Sequence, residues 1–420
     1  MKIDKNRFGQ ILRALKSRNF RLFFLGQGIS LIGTWITQVA TIWVVYQLTN
    51  SALLLGVTGF ASQIPNFILA PFGGIFGDRW NRHRLLVITQ ILLMMQSLTL
   101  AFLALTGKIQ IWHMIVLSIS QGTINAFEMP IRQAFVVEMV ENREDLGNAI
   151  ALNSSLFNSA RLLGPGIAGL LIAAVGAGVC FLIDGLSFIA VIASLLAMNI
   201  KPREIAFINP NHWERLKEGF VYSFNFPPIR AILMLLALVS FMGTSYMVLV
   251  PVFATKILHG SADTLGFLMA ASGVGAFVAA IYLSARQSIA GIDKLIVLSS
   301  LIWGIGLIAF GISRTPWVSL LMMFVIGFGS VLLFTSCNTL LQTIVDDDKR
   351  GRVMSLYIMA FSTIPLGNLC AGTLAEKIGA SYTLVISGIF CILGALVFVK
   401  QLPSLKEFIH PLYAKIGILR

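Results

Sequence analysis

Residues Gly73–Arg84 read GGIFGDRWNRHR: one acid (Asp78), three arginines (Arg79, Arg82, Arg84) and a histidine (His83). The run before this knot, LLLGVTGFASQIPNFILAPF, carries no charge, and neither does the run after it, LLVITQILLMMQSLTLAFLALTG. Each is long enough to cross a ~30 Å hydrocarbon core as a helix, which takes ~20 residues. A charged knot between two such runs is the mark of a loop between membrane spans. The pattern holds along the chain. Of its 420 residues, 57% are hydrophobic and only 12% charged, against roughly 25% charged in a soluble domain. The apolar runs are continuous rather than alternating, which argues against a β-barrel. The fold class is an all-α polytopic membrane protein.

Twelve spans are expected, near 21–48, 52–77, 85–107, 111–135, 147–175, 178–199, 230–257, 263–285, 294–312, 317–342, 353–376 and 381–400. The longest polar stretch, residues 201–228, divides them into two sets of six. The expected organisation is therefore a basic, amphipathic N-terminal segment (1–20) able to lie on the membrane surface, a six-helix bundle (21–200), a central loop (201–228), a second six-helix bundle (229–402) and a tail (403–420).

Lysine and arginine set the orientation. With both termini in the cytoplasm, 26 of the 31 basic residues fall on the cytoplasmic side. Four (Lys108, Lys256, Arg314, Lys377) fall on the other side, and Arg161 alone lies inside a span. The net charge of +13 then belongs to loops facing an anionic leaflet, and nucleic acid is not implied. Cys180, Cys337, Cys370 and Cys391 all sit in hydrophobic runs without metal or disulfide spacing, and the five histidines show no metal pattern. No metal or cofactor is expected.

The two halves resemble each other. At an offset of 210, SLIGT (Ser30–Thr34) meets SFMGT (Ser240–Thr244), and Ser51, Ala52, Leu55 and Gly56 match Ser261, Ala262, Leu265 and Gly266. At an offset of 203, Gly164, Gly169, Gly176 and Ala177 match Gly367, Gly372, Gly379 and Ala380. Duplicated six-span halves are a transporter signature, because two bundles can rock about a midplane site.

With that frame, the opening knot resembles the loop 2–3 signature of the major facilitator superfamily, G-x-x-x-D-R-x-G-R. Gly74, Asp78, Arg79 and Arg82 match, and Asn81 stands at the second glycine, as the usual substitute where a left-handed turn is needed. The resemblance implies a conformational latch. Asp78 would cap the start of span 11, where free N–H groups favour an anion, while Gly74 permits close helix approach. The plainer reading is that the charges only set topology. The matching second-half loop, YLSARQSIAGIDK, keeps Arg286 but has Ala285 before it. A second stretch, Arg161–Gly169, resembles the G-P-x-x-G-G antiporter motif of exporters in this superfamily, through Gly164, Pro165 and Gly169. Proline can bend a helix, and the resemblance implies a bend that seals the outer side.

Arg161 is read as buried, either contacting an anionic cargo, serving a proton relay, or acting as a hydrogen-bond hub. Glu128 is a proton carrier or the fixed partner of Arg132 four residues on. Asp184 is a buried charge with a structural role as its plainer reading. The span-4 pattern R-x-x-Q-G of the superfamily appears as Ser118-Ile-Ser-Gln121-Gly122, without its arginine. Gln38, Asn66, Asn125, Asn158, Thr244, Tyr246, Asn338 and Asn368 are candidate cavity residues, with helix–helix hydrogen bonding as the alternative for each.

The runs NFRLFFLGQGISLIGTW, VYQLTNSALLLGV, ARLLGPGIAGLL and FLIDGLSF are similar to the branch of bacterial macrolide-type drug and catecholate-siderophore exporters. That resemblance implies a monomeric exporter in the bacterial inner membrane, coupling a small-molecule cargo to protons by alternating access. A membrane sensor on the same fold is the second class. An enzyme is not supported, since no nucleophile–base or metal constellation is present. No G-x-x-x-x-G-K-[ST] nucleotide loop occurs either.

Overall fold

The computed structural model describes residues 13–200, 222–286, 291–345 and 347–415, without the side chains of 70–79, 143, 158, 162, 347–348, 350–351 and 402–415. The expected surface segment before residue 13, most of the central loop (201–221) and the last five residues lie outside the described residues. Helix follows helix, with no strand among the described residues. The order is α1 (Arg18–Thr49), α2 (Ala52–Arg79), α3 (Arg82–Leu105), α4 (Ile111–Met139), α5 (Leu146–Val175), α6 (Ala177–Leu196), α7 (Pro227–Met242), α8 (Tyr246–Val252), α9 (Ala262–Ala285), α10 (Ile292–Ile312), α11 (Pro316–Ile344), α12 (Asp347–Phe361), α13 (Ile364–Ile378) and α14 (Ala380–Lys415).

Eleven helical runs among the described residues are long and apolar enough to cross a membrane. The long helix outside that set is α4. It has 29 residues, ample length, but Gln121, Asn125, Glu128 and Arg132 interrupt its apolar character. With α4 counted, the expected twelve are present. Large apolar side chains such as Leu25, Phe102, Leu196 and Ile312 are more than 60% exposed. In water that would be costly, whereas lipid solvates them.

The chain forms two compact units, Met1–Asn50 with Ala61–Ile208, and Ser51–Phe60 with Asn209–Arg420. The start of α2 thus packs in the second unit. In the first unit α6 packs against α1 and α3, and α5 against α1. In the second, α11 packs against α9 and α10, and α14 against α10 and α7. The tight joins between α5 and α6 and between α13 and α14 each use one glycine, Gly176 (φ 82) and Gly379 (φ 89). A side chain there would be strained. These two glycines occupy matching places in the internal repeat.

The expected continuous spans 7 and 11 are both broken. α7 stops at Met242 and the chain restarts as α8, which runs into a π-helical turn, Phe253–Ile257. α12 stops at Phe361 and α13 starts at Ile364. Freed carbonyls need partners in a membrane, and hydroxyls supply them. Thr244 Oγ1 donates to Ser240 O at 2.6 Å, Ser245 Oγ to Phe241 O at 2.7 Å, and Thr363 Oγ1 lies 2.8 Å from Ala360 O and 3.1 Å from Ala237 O. The last contact ties one break to the helix that carries the other.

Without a hydrophobic drive between helices in lipid, small residues let backbones approach. A Cβ placed on Gly327 of α11 would overlap Ser272 O of α9, and one on Gly275 of α9 would overlap Phe324 O of α11. Gly327→Ala is expected to destabilise the protein by about 1–3 kcal/mol through overpacking, read as a lower thermal midpoint in detergent. Gly147→Ala, where a Cβ meets nothing within 4 Å, should leave the midpoint unchanged.

Candidate functional site

Several charged residues of the first unit have partners among the described residues. Glu128 and Arg132 are 6% and 9% exposed. Arg132 Nε lies 3.0 Å from Glu128 Oε1, although the pair is not aligned as a hydrogen bond. Gln90 of α3 donates to the same Glu128 oxygen at 3.3 Å. Four residues span just over one turn of helix, which puts the acid and base on one face of α4, and Gln90 ties that face to α3. The geometry places Glu128 and Arg132 as an ion pair.

Further along α4, Glu138 Oε1 accepts from Arg82 Nη1 at 3.0 Å. His83 Nε2 lies 2.7 Å from Leu195 O. Arg82 and His83 of the knot are therefore packed into the first unit, on α4 and α6. Asn81 caps α3, its Oδ1 accepting from Arg84 N at 3.0 Å. The expectation of a left-handed turn at Asn81 is corrected: its φ is −66°. Asparagine serves here as an N-cap side chain, a role that the superfamily's glycine could not perform. Gly74, Asp78 and Arg79 lie on the last turns of α2, and their side chains are outside the described set.

Asp184 is 2% exposed. Ser97 Oγ of α3 donates to its Oδ2 at 2.9 Å. Its Oδ1 has no hydrogen-bond partner among the described residues and lies against Gly33 of α1, where a Cβ would come within 2.7 Å of it. The carboxyl thus sits at the junction of α1, α3 and α6, a position that suits a structural role.

Arg161 behaves otherwise. The expectation that it is buried is corrected: its side chain is exposed at the surface of the first unit, and it forms no ion pair among the described residues. It stands midway along α5. Ala160, Gly164, Pro165, Ala168 and Gly169 all face inward, and a Cβ on Gly164 would overlap Trp35 of α1. Gly164, Pro165 and Ala168 lie three, four and seven residues after Arg161 and share its face of the helix, so the long side chain reaches the surface beside a contact made by small residues. The helix runs through Pro165 without interruption.

The neutral candidates divide. Tyr246 OH lies 3.1 Å from Ser272 Oγ, Thr244 Oγ1 donates to Ser240 O, and Asn368 is 4% exposed. Gln38 is exposed, and Asn66, Asn125 and Asn338 are half-buried. Asn338 Oδ1 accepts from Gln342 Nε2 at 2.5 Å. Asn158 has no described side chain. Sequence reasoning missed Gln90, Gln342 and Glu376. Glu376, at the end of α13, binds Ser51 and Leu53 at the start of α2. The available signal was an acid at a span end, one residue before Lys377.

Against known proteins, the sequence family described as transmembrane secretion effector matches residues 11–411. The chain belongs to that family, within the major facilitator superfamily. The chain is similar to the staphyloferrin A transporter of Staphylococcus aureus, at 27% identity over 393 residues, or 92% of this chain and 97% of that protein. It is also similar to macrolide efflux protein A of Streptococcus pyogenes, at 23% identity over 395 residues, 91% of this chain and 96% of that protein. In fold it resembles a POT family transporter solved in complex with a thioalcohol conjugated peptide, with a TM-score of 0.72 at 12% identity over 92% of this chain and 96% of that one. The chain is a multi-pass membrane transporter of a small molecule, and not an enzyme.

The Glu128–Arg132 pair is buried and close enough to act as a clasp within α4. Removing one partner of a buried pair leaves an uncompensated charge, at a loss of about 3–5 kcal/mol, whereas replacing both is often neutral. Glu128→Gln should therefore lower the thermal midpoint in detergent sharply, and Glu128→Gln with Arg132→Met should recover most of it. A stable Glu128→Gln variant would contradict the clasp.

Proposed function

We propose that this transporter exports a small amphipathic molecule from the cytoplasm of a bacterium, driven by the proton gradient. It works by alternating access, as a monomer in the cytoplasmic membrane with both termini inside. The observation that carries this reading is Arg161. A guanidinium at mid-membrane depth is expensive in lipid and marks a water-filled or protein-lined path. Here it is exposed in the middle of a helix, with the exposed Ser154 two turns back on the same face, while the exposed Leu163, Ile167 and Leu170 lie on the other side. That polar face has no reason to meet lipid.

The cargo class follows from the residues on hand. Arg161 suits an acidic or strongly polar group, and Gln38, Asn66, Asn125 and Asn338 supply neutral hydrogen bonds. The relative named for macrolide efflux supports export, and the one named for staphyloferrin A transport supports a small-molecule cargo. Orientation rests on the asymmetry of lysine and arginine. The latch of this cycle is Asp78: as the cavity closes inward, its carboxylate caps the start of span 11, and on return it lets go.

Expression in a drug- and siderophore-sensitive bacterial host, with intracellular accumulation of candidate cargoes measured, tests this. The parent protein should lower accumulation of at least one amphipathic compound. Asp78→Asn should abolish that export at an unchanged amount of protein in the membrane. Normal export by Asp78→Asn would contradict the latch. Arg161→Gln should raise the half-saturating cargo concentration by about tenfold or more, the loss of a hydrogen bond to a charged group. Arg161→Lys should fall between.

A further inference from the structure

The first N–H groups of a helix have no partner within it. At the start of α2, Ser51 Oγ accepts from Leu54 N at 3.3 Å. The next donor is satisfied from another helix. Glu376 Oε2, near the end of α13, accepts from Leu53 N at 3.2 Å and from Ser51 Oγ at 3.0 Å. The contact continues as a seam. A Cβ on Gly56 would come within 2.9 Å of Gly372 Cα, and one on Gly372 within 2.8 Å of Gly56 Cα. A Cβ on Gly59 would stand 3.1 Å from Asn368 Nδ2. Asn368, Gly372 and Glu376 are spaced by four, so they share one face of α13.

The matching helix start in the second half is capped differently. Ser261 and Ala262 stand in register with Ser51 and Ala52, but Asp263 replaces Leu53. There Ser261 Oγ donates to Asp263 of the same helix. α9 thus carries its own acid, whereas α2 borrows one. A local acid caps a helix in every conformation. A borrowed acid caps it only while the two helices stay together.

We infer that Glu376 is a second latch, at the opposite end of the same helix pair from Asp78. This rests on the exporter reading above. Asp78 is the acid at the end of span 2, and Glu376 is the acid at the end of span 11. The two spans run in opposite directions, so each can offer its terminal carboxylate to the other's N-terminus, where the helix dipole favours an anion. Glu376 holds the external end of α2 against α13. Its release frees the Gly56–Gly372 seam and opens the outer side for cargo to leave, while Asp78 engages within. Glu376 remains exposed, so water can take over its hydrogen bonds when it lets go. Exchange of protein for water partners is nearly balanced, which suits a latch that must open on every cycle.

The test is thiol labelling of Ala52→Cys in the full chain in intact cells. Ala52 is 7% exposed, and its carbonyl lies under the seam beside Gly372. With Glu376→Ala, the rate of labelling by a membrane-permeant maleimide should rise about tenfold, as expected for loss of one charge-assisted hydrogen bond. Asp263→Asn, which removes the local acid of α9, should leave that rate unchanged. An unchanged rate in Glu376→Ala, or an equal rise in Asp263→Asn, would overturn the latch. Should Glu376→Ala fail to reach the membrane, Ser51→Ala is read in its place. Labelling by an impermeant maleimide from outside reads the orientation separately, and export by Asp78→Asn reads the inner latch separately.

Discussion

Every backbone N–H and C=O in the hydrocarbon region needs a partner within the protein, and the rest of this structure depends on that constraint. Inside a helix it is met automatically. At helix starts and breaks it is met by particular side chains, and those are where the informative residues gather. Asn81 caps α3. Thr244, Ser245 and Thr363 satisfy the carbonyls left by the broken spans. Glu376 satisfies a donor at the start of α2. Each is a short polar side chain at the one place where the helix cannot serve itself.

Charge follows the same economy of partners. Glu128 is held by Arg132 and Gln90, Glu138 by Arg82, and Asp184 by Ser97. These groups bind elements of one unit together, and their partners explain their presence in a span. Arg161 has no such explanation in its own unit. Its neighbours on the same face of α5, Gly164, Pro165 and Ala168, are small and buried, yet its own side chain is exposed. A residue expensive to keep at that depth, and not used for packing, is the natural candidate for contact with cargo.

The fold was legible in the sequence because its signal is length and hydropathy. The charged knot at Asp78–Arg84 marked a loop between two spans, and the glycines at 176 and 379 marked two matching turns. α4 shows where that signal weakens: its length is ample, but the buried polar residues that tie it to α3 lower its apolar character. The breaks in spans 7 and 11 left little trace, because Gly243 and Thr363 lie in apolar surroundings that read as continuous helix. At the site, residue types were legible but directions were not. Arg161 is exposed rather than buried, a difference of side-chain environment that residue type and spacing do not encode. Asn81 was noticed for a backbone shape it does not adopt, and matters instead for its side chain. Glu376 was passed over because its partners lie more than 300 residues away in the chain.

The account joins these features into a cycle in which cargo leaves as protons enter. The most direct test is purified protein in liposomes carrying a pH-sensitive dye, with a candidate cargo on one side and no imposed gradient. Cargo moving down its own gradient should drive protons the opposite way, in amounts that scale with cargo moved. Cargo flux with no proton movement would contradict the coupling, and the absence of flux for every cargo that the protein exports in cells would contradict the account as a whole.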